Sequence, residues 1–165
     1  MSIGRFYAGI GAVIWSPKLD QYLLLRRADD KDYAPGTWEC PTGRVDQGEG
    51  FEDALRREMQ EELGVDVQVE YILATTHFYR GEPRPENELV GVIYLCSLDD
   101  PSAVRISEEH SEYHWLSAGQ AIQLLASKDT SSQWAKRVIQ RAEAIRGMLP
   151  ADLIKYQRES GFDLG

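Results

Sequence analysis

Glu58, Glu61 and Glu62 stand three and four residues apart in FEDALRREMQEELGV, a stretch whose apolar residues recur with a helical period. At about 100° per residue, Phe51, Ala54, Leu55, Met59 and Leu63 sweep out one apolar arc from roughly −40° to +140°, measured from Glu58. Glu58 lies inside that arc, Glu62 about 40° further round, and Glu61 at its edge at about −60°. Asp53, Arg56, Arg57 and Gln60 already fill the outward face, and Glu52 belongs to the first turn, where an acid suits the helix dipole. Acids facing inward on the last turns of a helix meet an adverse dipole worth roughly 0.3–1 kcal/mol each. Partly buried like charges this close need a compensating cation. The chemistry these residues suit is the holding of a divalent metal.

The 23 residues from 43 to 65, GRVDQGEGFEDALRREMQEELGV, resemble the Nudix box, G-x5-E-x7-R-E-U-x-E-E-x-G-U, with U aliphatic. Gly43, Glu49, Arg57, Glu58, Met59, Glu61, Glu62, Gly64 and Val65 meet it without a gap. Thr42 stands just outside the pattern, where many members carry a second glycine. The resemblance implies an α/β/α sandwich and the hydrolysis of a phosphoanhydride in a nucleoside diphosphate linked to another group. It implies magnesium as cofactor, with manganese as a substitute. Carried onto the matching positions, it makes Glu58 and Glu62 direct metal ligands. Glu61 becomes a third ligand or the group holding the attacking water, and the Gly43 carbonyl completes the shell. Arg57, roughly 100° from Glu58 on the helix, suits bracing a loop acid such as Glu49 better than touching phosphate. The physics agrees, because attack on a pyrophosphate meets a wall of negative charge that must be neutralised while a water is positioned.

Residues 108–116, EEHSEYHWL, are similar to a Glu-His pair that several Nudix subfamilies carry before an aromatic-Trp-Leu strand. In those relatives the loop acid reaches back to the metal as a further ligand or general base, and Glu109 is the matching position. An exposed acidic turn before an edge strand is the plainer reading of the same residues. His110 and His114 suit packing and hydrogen bonding more than catalysis. Arg26 and Arg27 end a strand and point to opposite faces, so one can meet substrate phosphate and the other solvent. Arg80 and Arg84 flank or occupy a loop from which a substrate is within reach. Trp38, Phe78 and Tyr79 are candidates to stack on a base or to sit in the core.

The 108–116 segment favours a nucleoside triphosphate or similar polyphosphate as substrate. Pro83 and Pro85 fall slightly beyond the place of the proline typical of ADP-ribose hydrolases, and Tyr79 comes a little before that of the tyrosine of dinucleoside polyphosphate hydrolases. ADP-sugars and dinucleoside polyphosphates therefore stay open. A non-catalytic nucleotide-binding module would usually have lost a box acid, and none is missing. An isopentenyl diphosphate isomerase type of use would need a reactive cysteine, which the positions of Cys40 and Cys96 do not support.

The elements that must carry these residues can be read from pattern. Residues 7–15 and 22–27 are β-rich runs joined by a turn, hence a hairpin. The box helix spans 51–63, with Gly64 placed to end it. Residues 65–69, 72–79 and 89–95 read as strands, the last central, and 113–116 as a short strand. Helices follow at 118–126 and about 131–149. Strands, one box helix, more strands and terminal helices give an α+β architecture, a mixed sheet between helical layers, as the resemblance also implies. A single domain is expected over 1–150, with 151–165 a polar, loosely held tail.

The composition is that of an ordinary globular protein, 42% hydrophobic and 27% charged over 165 residues. A net charge of −9 argues against broad binding to nucleic acid or anionic membrane. The expected partners are a small nucleotide and, at most, a second copy of the chain in a homodimer. Two cysteines form no disulfide framework or zinc spacing, and no transmembrane or signal segment is evident, so the default location is cytoplasmic.

Overall fold

The computed structural model describes residues 5–165. Seven strands of the described residues form one mixed sheet: β1 (Tyr7–Ser16), β2 (Gln21–Arg27), β3 (Trp38–Glu39), β4 (Thr42–Arg44), β5 (Gln68–Tyr79), β6 (Glu88–Ser97) and β7 (His110–Leu116). The order is β3-β2-β1-β6-β5, with β4 also on β1 and β7 on β2. β1 and β6 run parallel through the centre, and the other pairs are antiparallel. Among the described residues four α-helices complete the fold: α1 (Phe51–Leu63), α2 (Ala118–Leu124), α3 (Thr130–Arg146) and α4 (Ala151–Ser160).

Strand side chains alternate between faces, and both faces are apolar. Ile10, Ala12, Ile14, Leu23, Leu25, Tyr94 and Cys96 meet Ala54, Leu55, Met59 and Leu63 of α1. Val13, Tyr22, Leu24, Ile93 and Leu95 meet Ala135, Val138, Ile139 and Ala142 of α3 and Ala121 of α2. The result is the α/β/α sandwich, with α1 on one side of the sheet and α2 and α3 on the other.

Two departures from the sequence expectation matter for the site. The runs at 65–69 and 72–79 join into the single long β5, whose register against β6 shifts between Val69 and Tyr71 and again between Ile72 and Ala74. Such bulges reset the alternation, which is why the pattern looked like two strands. The segment after Pro150 forms α4, not a loose tail: its Arg158 donates to the buried Glu70 of β5. No helix of the described residues is long and apolar enough to cross a membrane.

Candidate active site

α1 ends at Gly64, held left-handed at φ 64° and ψ 25°, a conformation that costs glycine nothing. The last carbonyls of α1 then need partners. Residues 104–107 supply them: the Arg105 amide donates to Leu63 at 2.8 Å and the Ser107 amide to Glu62 at 2.9 Å. This docking sets the 107–109 loop beside the last turn of α1, so two acidic stretches far apart in sequence share one wall.

The acids there differ in surroundings. Glu61 is mostly exposed and touches Arg57 Nη1 at 3.3 Å. Glu58 is nearly buried, and its Oε1 accepts from Arg57 Nη1 at 2.9 Å and from the Arg44 amide at 3.1 Å. Gly43 lies against it so closely that a Cβ would stand 2.2 Å from Glu58 Cγ. Glu62 is only 9% exposed, and its Oε2 has no hydrogen-bond partner. Burial, with Glu58, Glu39 and Glu109 nearby, pushes its carboxyl up to about 9. Glu109 stands at the rim with Lys31 Nζ 3.5 Å away.

Arg57 ties the group together. It donates to both oxygens of Glu49 at 2.9 Å and to the Arg44 carbonyl at 2.8 Å, besides Glu58 and Glu61. These anionic partners raise its pKa, and Arg57 with the Asp46 amide lowers that of Glu49.

A cleft of about 1320 Å³ opens from these acids across the sheet toward α3. Arg27, Arg44 and Arg80 line it with Glu39, Tyr33, Phe78 and Trp134. Arg27 Nη1 donates to Glu39 Oε1 at 2.9 Å, and His110 Nε2 lies 3.3 Å from the same oxygen. Arg80 stacks over the Tyr33 ring at 4.9 Å and has no acidic partner among the described residues. Burial and the neighbouring Arg44 and Arg27 hold its pKa below the usual arginine value. Trp134 reaches over Gly11, where a Cβ would be 3.4 Å from its ring, and donates to Thr76 Oγ1 at 3.2 Å.

Three residues named as substrate contacts stand outside this cleft. Trp38 pairs in register with Arg26 and shares its face, away from Arg27 and Glu39. It packs edge-on against His114, 4.9 Å between ring centres, and Arg26 pairs with Asp29 at 2.9 Å. Arg84 pairs with Glu82 on the exposed loop. Conversely, Glu39, Arg44 and Trp134 enter the cleft without any motif to announce them. Only strand register would have placed Glu39, opposite Leu25 on the α1 face.

A family model described as the NUDIX domain matches residues 5–141. The chain belongs to the Nudix family. The nucleoside triphosphatase NudI of Escherichia coli is 34% identical over 102 residues, 58% of this chain and 72% of that protein. The MutT protein from Methanosarcina mazei Go1 superposes with a TM-score of 0.69 at 22% identity, over 88% of this chain and 99% of its own. A C. elegans Ap4A hydrolase does so with a TM-score of 0.64 at 23% identity, over 86% and 99%. These superpositions carry the fold. With every box acid in place, this Nudix chain is a pyrophosphohydrolase.

The donors fit a divalent cation: hard carboxylate oxygens, one of them buried and unpartnered. Among the described residues they do not stand as a ready cage of three. Glu58 is turned onto Arg57 and the Arg44 amide instead, so an ion would compete with the arginine for it.

Proposed function

We propose that this Nudix enzyme hydrolyses a phosphoanhydride of a nucleoside triphosphate or similar polyphosphate with magnesium held by Glu58, Glu62, Glu61 and Glu109 and the Gly43 carbonyl. One observation carries the reading: buried acids, with Glu62 Oε2 unpartnered, face a cluster of arginines across one cleft. Magnesium there would neutralise phosphate oxygens and polarise the attacking water. Arg27, Arg44 and Arg80 receive the polyphosphate, and Arg80, without an acid of its own, gains most from an anion. Glu61 or Glu109 takes the proton as the water oxygen bonds to phosphorus and the bridging oxygen leaves with the departing phosphate. Trp134 and Phe78 offer faces to the base. The relative named a nucleoside triphosphatase supports the substrate class.

A dinucleoside polyphosphate is the second reading, favoured by the length of the cleft, which runs along α3 from Thr130 to Arg141. Incubation with nucleoside triphosphates, ADP-ribose and dinucleoside polyphosphates, followed by chromatography of the products, tests both. Preferred turnover of triphosphates is expected. Turnover of ADP-ribose alone would overturn both substrate classes, and turnover of none would return the chain to a binding module.

A further inference from the structure

The first turn of α1 has no cap of its own. Its N-cap is Gly50, which carries no side chain to accept from the free amides of that turn. The missing acceptor comes from the other end of the chain. Asp163 Oδ2 accepts from the Glu52 amide at 3.2 Å, and Glu52 Oε2 accepts from the Phe162 amide at 2.9 Å. This reciprocity has the logic of a capping box, but its partners lie 111 and 110 residues apart in sequence.

The surroundings are shaped to this clasp. A Cβ on Gly50 would stand 2.3 Å from Asp163 Oδ2. Gly50 has φ −78° and ψ 163°, which any residue adopts, so proximity to Asp163 and not backbone strain calls for glycine there. Gly161 turns the chain at φ +70°, with its would-be Cβ 3.1 Å from Glu52 Oε2. Phe162 packs edge-on against Tyr94, 5.8 Å between ring centres, and Arg158 anchors α4 on Glu70. The family match ends at residue 141, so the Gly161, Phe162 and Asp163 half of the clasp lies outside it.

We propose that Asp163 is a positioning residue that caps the catalytic helix from the far end of the chain, making residues 150–165 a working part of the active site. The route to the acids is short. Gly50 adjoins Glu49, Glu49 holds Arg57, and Arg57 holds Glu58 and Glu61. Slack in the first turn therefore reaches the metal-holding acids through two ion pairs. The step from cap to acids rests on the metal-holding role proposed above; the cap itself does not.

The test compares wild type, Asp163→Ala, Asp163→Asn, and Asp163→Ala combined with Gly50→Ser. The readouts are amide hydrogen exchange at residues 51–54 in metal-free protein, half-saturation by manganese, and kcat and KM for the best nucleotide. Asp163→Ala should speed exchange there by about three- to thirtyfold, the equivalent of losing one N-cap. It should also weaken manganese half-saturation and lower kcat, with KM for nucleotide unchanged. Asp163→Asn should stay near wild type, since Asn caps as well as Asp. Gly50→Ser should restore the alanine variant by supplying a local cap in the space Asp163 vacated. Unchanged exchange in Asp163→Ala would overturn the cap. Faster exchange with unaltered manganese binding and kcat would overturn the positioning role. If no nucleotide is turned over, the hydrolase reading fails, while exchange and manganese binding still decide this one.

Discussion

Replacing Glu62 by Gln should make the metal-free protein more stable while it destroys catalysis. In the folded chain this carboxyl is pushed from an ordinary 4.5 up to about 9, first by burial and then by Glu58, Glu39 and Glu109. A carboxyl whose folded value is raised binds its proton more tightly folded than unfolded. The stability this gives is fully present below about pH 4.5 and is lost as pH climbs toward 9. At pH 7 the span from 4.5, at about 1.36 kcal/mol per pH unit, sets a ceiling of about 3 kcal/mol on the loss. Water entry or a turned side chain lowers it. For a chain of this size each kcal/mol moves Tm by about 2–4 °C, so Glu62→Gln should melt several degrees above wild type at pH 7 in EDTA. The gap should close below about pH 4.5, where the carboxyl is protonated in both the folded and the unfolded chain. It should narrow at pH 7 when magnesium is added, because only wild type offers the ion this carboxylate. Thermal melts of both proteins across pH, with and without magnesium, check this. A glutamine variant equal to or less stable than wild type at pH 7 in EDTA would refute the reasoning, since burial would then not have raised the Glu62 carboxyl.

Arg80→Ala should raise KM for a polyphosphate nucleotide by about tenfold, the worth of a charge-assisted hydrogen bond, with kcat little changed in steady-state assays. Cys40 and Cys96 are fully buried, and burial pushes the Cys40 thiol up to about 12 and that of Cys96 higher still. Neither should react with a thiol reagent at pH 8 until denaturant is added, and both should then be labelled.

How far the sequence reached depended on whether a residue's position was set locally or by register. The box helix was legible because its apolar arc and Gly64 define both face and end without help from elsewhere. The central strands were legible because both faces of β1 and β6 are apolar. Which of Arg26 and Arg27 lines the cleft, whether Trp38 lies in it or against the core, and the presence of Glu39 and Trp134 were not legible, because their side of the sheet follows from pairing across β2 and β3 and from helix docking. The same holds for Asp163, whose place at α1 no local pattern discloses. β5 was divided wrongly because its two bulges break the alternation on which strand reading relies.

Under the proposed function, the acids of α1 are tolerable because they hold a cation. Titration of manganese into metal-free protein, followed by electron paramagnetic resonance and repeated with Glu58→Gln and Glu62→Gln, tests it most directly. Wild type should bind the ion saturably, and each variant should lose at least about tenfold in affinity, in keeping with loss of a ligand or its support. Binding undiminished in both variants would contradict the claim.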